Sequence, residues 1–369
     1  MSDTPDRAHA VIDLEAIRHN VRLLAGHARG ARFMAVVKAN GYGHGATAAA
    51  TAALDAGADW LGVHTVGEAE DVAPLAGGVP VLVMGPIADS EWVRAGAIGA
   101  HVAVWSPEGV TAADAAGVAG LHLKLDTGMG RLGARPETLG AVVEAARTAR
   151  TPVSGLMTHF ATADDREGEH AGFMNEQLMR FRSATRPLSD AFPDAILHAA
   201  NSAATLREPR THLDMVRCGI AVYGCSPFHD DAATHDLRPA MSLISHIASI
   251  KTVRSRDSVG YGRTWRAARG TRIGLVPVGY ADGYARSLGN QASVIVNGRL
   301  VPVVGTISMD QLTIDLGPES TDVVGDRVTL MGSSGGERVT AEQLGDLRGT
   351  INYEVTCGIG PRIPRRTIG

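Results

Sequence analysis

The stretch Phe33-Met34-Ala35-Val36-Val37-Lys38-Ala39-Asn40-Gly41-Tyr42-Gly43-His44-Gly45 runs five apolar residues into a lysine and then into a loop spaced by glycines. A short apolar run bounded by turn formers reads as a buried strand. A lysine at its carboxyl end is partly desolvated, which disfavours the charged amine, lowers its pKa and frees a lone pair for attack on a carbonyl. Lysines of this kind form Schiff bases. The plainer reading, a side chain snorkelling to solvent, is open for any single lysine, so the rest of the chain must decide.

Outward from that strand, short apolar runs alternate with helical stretches from residue 10 to about residue 225, which is the βα signature. Leu14, Ile17, Val21 and Leu24 mark the first helix, with Asp13 as its N-cap. Eight strands are expected: Phe33–Val37, Trp60–Val63, Pro80–Met84, His101–Val104, Leu121–Leu125, Val153–Met157, Ile196–Ala199 and Met215–Gly219. Eight such units suggest a closed (β/α)8 barrel, with a doubly wound open sheet as the alternative. After the polar, proline-bounded stretch from Cys225 to Pro239 the pattern changes to alternation rich in Val and Ile. The expected division is therefore a barrel over residues 1–240 and a mostly β domain over 241–369. Within the latter, Asn297-Gly298 between Val294 and Val301 reads as a type I′ hairpin turn.

Bulk properties narrow the partners. Across 369 residues, 35 basic residues against 39 acidic ones give a net charge of −4, without a basic run, so neither nucleic acid nor an anionic membrane surface is expected. Residues Met1 to Arg7 lack the apolar stretch of a signal peptide, and no apolar run is long enough to span a bilayer, so a cytoplasmic protein is expected. Cys218, Cys225 and Cys357 sit in no C-x-x-C pattern and read as reduced thiols without chemistry.

Catalytic groups of a closed barrel project from the carboxyl ends of its strands, and those positions are polar here. The first strand ends in Lys38, the fifth runs into Lys124-Leu125-Asp126-Thr127-Gly128-Met129-Gly130-Arg131, and the sixth ends in Thr158-His159. The seventh carries His198 and leads to Asn201-Ser202; the eighth contains Arg217 before Cys218-Gly219-Ile220. Ser202, Gly219 and Ile220 suit a phosphate held by backbone N–H groups and a hydroxyl, with Tyr42 adding a phenol. A phosphate site opposite a Schiff-base lysine describes pyridoxal phosphate. Singly, each group has a duller explanation: His159 and His198 as satisfied core histidines, Arg217 as a partner of Asp214, Gly219 as a turn residue. Five strand ends converging on one place favour the functional reading.

Several strings resemble the bacterial alanine racemase family: A-V-V-K-A-N-G-Y-G-H-G, K-L-D-T-G-M-G-R-L-G, T-H-F-A-T-A-D, H-A-A-N-S-A-A-T, V-R-C-G-I-A-V-Y-G, V-G-Y-G-R-T-W, G-Y-A-D-G-Y and I-S-M-D-Q. They span both domains and nearly the whole chain. The resemblance implies a homodimer in which the partner's β domain completes each barrel mouth. It implies that Lys38 holds pyridoxal 5′-phosphate as a Schiff base and that Tyr42, Ser202, Gly219, Ile220 and Tyr353 grip its phosphate. Arg217 would face the pyridine nitrogen, and Arg131 the phenolic oxygen and the substrate carboxylate, which the backbone N–H of Met309 from the other subunit would also touch. Lys124 matches a position carbamylated in some members, where the added charge orients Arg131. Thr306 departs from the arginine some relatives carry near the entrance.

Racemisation removes a proton from one face of the α-carbon and returns it to the other, so a second acid/base must oppose Lys38. The resemblance supplies Tyr261 from the partner subunit, with a chain through His159 to Arg217 and His198 favouring its phenolate. Tyr353 and Tyr261 would leave room for little more than a methyl group, which favours L- and D-alanine and admits some activity on serine. The implied role is supply of D-alanine for peptidoglycan. Two rivals remain: a cofactor-carrying barrel without turnover, which would lack a β domain, and a metal-dependent aldolase, which would want clustered His or Cys in residues 241–369, where the sequence has none.

Overall fold

The computed structural model describes residues 7–28 and 30–369. By contact density the chain divides into two compact units, Ile17–Val222 on one hand and the segment ending at Ala16 with Tyr223–Gly369 on the other.

Strand β1 (Ala8–Asp13) precedes helix α1 (Leu14–His27), whose first turn is capped by Asp13 Oδ1 accepting from the Ala16 amide at 3.0 Å. Unit Ile17–Val222 is a closed parallel barrel of eight strands. These are β2 (Arg32–Val36), β3 (Trp60–Val63), β4 (Val81–Val83), β5 (His101–Val104), β6 (Gly120–Lys124), β7 (Val153–Met157), β8 (Ile196–His198) and β9 (Met215–Cys218). The ring closes through Met34, which is paired with Trp60 on one side and Arg217 on the other. All eight expected strands are present within a residue or two, and the open-sheet alternative falls with the β2–β9 pairing. The strands are buried on both faces, which is why they read as unbroken apolar runs.

The other unit is built mainly of strands. β10 (Met241–His246), β15 (Ser293–Val296), β16 (Arg299–Pro302), β18 (Arg327–Ser334), β19 (Glu337–Val339) and β20 (Arg365–Ile368) join β1 in one sheet, ordered β16-β15-β18-β10-β1-β20 with β19 beside β18. β11 (Ser249–Val253), β14 (Thr271–Val276) and β17 (Leu312–Asp315) form a second, and β12 (Ser258–Val259) pairs with β13 (Trp265–Arg266). Asn297 and Gly298 have φ of 47° and 76°, as the expected I′ turn requires, and set Val296 opposite Arg299. The proline-bounded stretch 225–239 belongs to this unit: the Ser226 amide donates to buried Glu342 at 3.0 Å, and Asn352 donates to the Ser226 carbonyl at 2.7 Å.

Candidate active site

After β2 the chain makes an unusual turn. Ala39, Asn40 and Tyr42 have φ of 53°, 53° and 51°, with Gly41 and Gly43 also positive. Left-handed backbone costs a non-glycine residue ~1–2 kcal/mol, so the turn must be held from outside. Glu68 Oε1 accepts the Ala39 amide at 2.7 Å while its Oε2 accepts the His64 amide at 2.7 Å. Asn40 Oδ1 accepts from the Ala46 amide at 2.9 Å, and His44 Nδ1, 3.0 Å from the carbonyls of Gly41 and Tyr42, donates to them. Half-buried Lys38 opens this braced turn, and Tyr42 closes it.

The same turn brings Tyr42 over the last barrel loop. A Cβ on Gly219 would lie 2.2 Å from the Tyr42 hydroxyl, so only glycine leaves room for the phenol. Ser202 Oγ accepts from the amides of Gly219 at 2.9 Å and Ala221 at 3.4 Å. Phenol, serine hydroxyl and the backbone from Gly219 to Ile220 thus converge. Their donors and small size suit a phosphate group.

Arg217 is buried and immobilised. Its Nη2 donates to the carbonyls of Thr158 at 2.7 Å and Ala199 at 3.0 Å and lies 3.4 Å from His159 Nδ1; its Nη1 lies 3.1 Å from His198 Nδ1. Asp214 instead accepts the Leu197 amide, so the duller pairing of Arg217 with Asp214 does not occur. Burial pulls the guanidinium down to about 10, still cationic at neutral pH. Burial first, and then Arg217, Arg131, Lys124 and Lys38, hold His159 well below the usual imidazole range; burial and Arg217 do the same to His198. Both imidazoles are therefore neutral.

Arg131 stands in the loop after β6, pinned at both ends: the Ala134 amide donates to the Lys124 carbonyl at 2.7 Å, and the Asp126 amide to the Ala134 carbonyl at 2.9 Å. Lys124 itself is buried, and desolvation together with Arg217, Arg131 and Lys38 lowers its amine to about 8. Lys124 on β6 thus feels three other cations: Lys38 just after β2, Arg131 in its own loop and Arg217 on β9. A site of this charge suits a ligand carrying several negative charges, and with the cradle at Gly219 it fits pyridoxal phosphate.

The remaining expected residues lie on the other unit. Tyr261, 72% exposed, sits in a glycine-flanked turn whose carbonyl accepts from the Thr306 hydroxyl at 2.9 Å; Thr306 also meets Thr264 at 3.2 Å, which accepts from Asn290 at 3.0 Å. Thr306, marked in the sequence only as a departure near an entrance, is a fixing point for the Tyr261 turn. Met309, 53% exposed, is held through its carbonyl by the Ala281 amide at 3.0 Å. Behind that turn, fully buried Asp282 accepts from the Gly279 amide and from Arg7, and Arg362 bridges Asp282 to Asp310. Tyr353 lies in helix Asn352–Cys357, its ring 6.4 Å from that of His229.

Sequence reasoning missed Glu68, the His44 brace and the partner of His198. Thr65-x-x-Glu68 after β3 is a capping-box pattern that could have drawn attention to Glu68. His122 shares a strand face with Lys124 by the period of two, and its Nδ1 lies 2.9 Å from His198 Nε2.

A lysine opening a braced turn at the rim of a closed barrel, with a phosphate-suited loop on the last strand, describes a lysine-bearing (β/α)8 barrel of the kind that suits such a cofactor. Residues 12–227 match the alanine racemase N-terminal domain and residues 240–367 the alanine racemase C-terminal domain. An alanine racemase of Symbiobacterium thermophilum is 42% identical over 96% of this chain and 96% of its own length. The alanine racemase structure from Streptomyces lavendulae superposes with a TM-score of 0.93 at 38% identity, over 100% of this chain and 98% of that one. That of Bartonella henselae, solved with covalently bound pyridoxal phosphate, gives 0.87 at 26% identity, over 99% and 100%. The chain belongs to the alanine racemase family, enzymes that are pyridoxal phosphate-dependent isomerases.

Proposed function

We propose that this protein interconverts L- and D-alanine by a two-base proton transfer, as a homodimer whose sites are shared between subunits. The observation that carries this reading is the set of acceptors around Arg217, with His159 kept neutral first by burial and then by Arg217 at the edge of a cationic, phosphate-suited mouth. When bound through Lys38, pyridoxal phosphate supplies an electron sink that acidifies the α-hydrogen of an amino acid. Tyr42, Ser202, Gly219, Ile220 and Tyr353 would grip its phosphate, and Arg217 would donate to its ring nitrogen. Because a guanidinium keeps its protons, Arg217 could only donate to that nitrogen, a setting that would weaken the sink and favour return of the proton to the α-carbon over transamination.

Lys38 would exchange the proton on one face. Tyr261 of the second copy would do so on the other. Arg217 can only donate, so His159 Nδ1 offers its lone pair and its hydrogen is on Nε2, free to donate to a phenolate. Arg131 and the Met309 amide of the second copy would hold the substrate carboxylate. Support for a second copy comes from Tyr261 and Met309 themselves: their turns are hydrogen-bonded in place, yet their side chains are uncovered.

With its amine lowered to about 8, Lys124 is neutral in about one molecule in ten at pH 7. That fraction can attack carbon dioxide and release a proton, giving a carbamate whose charge orients Arg131. We place the enzyme in the cytoplasm, consistent with Cys218, Cys225 and Cys357 forming no disulfide and with no helix among the described residues being long and apolar enough to cross a membrane. There it would supply D-alanine for peptidoglycan. The test is direct: visible absorbance before and after borohydride, and assay of both alanine enantiomers. A colourless protein that interconverts neither overturns the proposal.

A further inference from the structure

Interiors of (β/α)8 barrels are filled in layers by branched aliphatic side chains. Here Trp60 on β3, His101 on β5, His122 on β6 and His198 on β8 stand ring against ring, with Arg217 on β9 beyond them. His122 and His198 are both fully buried, 5.0 Å apart at their centroids and nearly perpendicular. Space is set aside for this. Gly155 pairs with His122 across β6 and β7, and a Cβ there would lie 2.3 Å from His122 Nδ1.

Proton positions along the file follow by elimination. A guanidinium has no acceptor, so His198 Nδ1, 3.1 Å from Arg217 Nη1, offers a lone pair. Neutral His198 therefore carries its hydrogen on Nε2 and donates it to His122 Nδ1 at 2.9 Å. His122 in turn carries its hydrogen on Nε2, an atom that has no hydrogen-bond partner among the described residues. An imidazolium at either position would set donor against donor. A buried donor without an acceptor calls for an explanation, and the file supplies one: among the described residues no carboxylate bonds Arg217, and two aligned imidazole dipoles face its charge instead.

We propose that His122 is a positioning residue: by accepting from His198 Nε2–H it locks that tautomer and so fixes the plane in which Arg217 presents its N–H groups. What Arg217 faces rests on the function proposed above; the tautomers rest on geometry alone. In cofactor-loaded protein labelled with 15N-histidine, nuclear magnetic resonance should find both His122 and His198 protonated on Nε2 only, assigned from the signals lost in His122→Asn and His198→Asn. Hydrogen on Nδ1 of His198, or an imidazolium there, overturns the proposal.

The variants separate positioning from packing. Asn at position 122 places an amide oxygen where Nδ1 lay; Leu keeps bulk without an acceptor. His122→Leu should lower kcat about tenfold, leave KM within about twofold and shift the visible band of the bound cofactor, while His122→Asn should stay within about threefold of the wild type. Equal losses in both, or an unchanged Leu variant, overturn the role. Should the Leu protein not fold, the wild-type resonances still decide. A wild-type protein without racemase activity or a visible band sinks the proposed function, and the tautomers measured on it decide this inference separately.

Discussion

The barrel mouth and the Tyr261–Met309 region of the second unit hold their functional groups in opposite ways. At the mouth, Arg217, His198 and Lys124 are buried, and burial itself lowers the pKa of each. In the second unit the side chains of Tyr261 and Met309 are exposed, and only their backbone is fixed, by Thr306 and by the Ala281 amide. The first arrangement sets chemistry before any ligand arrives. The second sets position and leaves the side chains open to solvent.

That contrast breaks most openly if either region works alone. Lys38→Ala should lower racemisation by ~10⁴-fold, and Tyr261→Phe by ~10²–10³-fold, as expected for loss of a positioned proton donor or acceptor. If the proposed shared-site dimer holds, mixing the two inactive proteins under conditions of subunit exchange should restore about a quarter of wild-type activity, because half of the dimers would be mixed and one of their two sites intact. Recovery near zero, with mixed dimers verified by mass spectrometry, would place both residues in one subunit's site or in none. Solvent deuterium sharpens the same point. Tyr261→Phe should suppress its entry from one alanine enantiomer far more than from the other.

Charge at the mouth can be read without catalysis. Lys124 has a folded-state pKa of about 8, below its ordinary value of 10.5, so between these values the unfolded chain binds more protons and stability rises with pH. Below pH 8 the full penalty applies, roughly 3 kcal/mol as an upper figure. In carbon dioxide-free buffer, Lys124→Met apoprotein should therefore be more stable than wild type at pH 7, with the gap closing toward pH 10. A constant gap in urea midpoints across that range would remove the case for a desolvated amine. Arg217→Glu probes the neighbouring group: it should raise pyridoxamine formed per turnover, and an unchanged partition would count against the account of suppressed transamination.

How much of this was legible in the sequence depended on how local the cause was. The eight barrel strands could be read because strands buried on both faces appear as apolar runs between Gly, Pro and polar clusters. Asp13 and Asn297-Gly298 were readable for the same reason, since a cap and a turn act within three residues. β1 was not. Its partners, β10 and β20, lie more than two hundred residues away, and nothing near Ala8–Asp13 announces them. The left-handed run at Ala39, Asn40 and Tyr42 was hidden because two of the three are residues that seldom adopt it, and the brace comes from Glu68 on another βα unit. Nothing in Leu121-His122-Leu123 sets His122 apart. Only the closed ring brings it to His198, 76 residues further on.

Thr306 offers the finest test, because it touches Tyr261 without entering the chemistry assigned to it. Its hydroxyl donates to the Tyr261 carbonyl at 2.9 Å, and a net hydrogen bond of this kind contributes about 1 kcal/mol. Thr306→Val keeps the shape and removes the donor. If the second unit acts by position alone, the variant should lose about fivefold in kcat, keep its KM, and leave the cofactor's visible band unchanged, since that band reports on the barrel mouth. The deuterium asymmetry between enantiomers should survive, because the phenol is still present and only less well aimed. A moved band would mean that the Tyr261 turn helps to set the electronic environment of the mouth, and the division between the two regions would have to be redrawn.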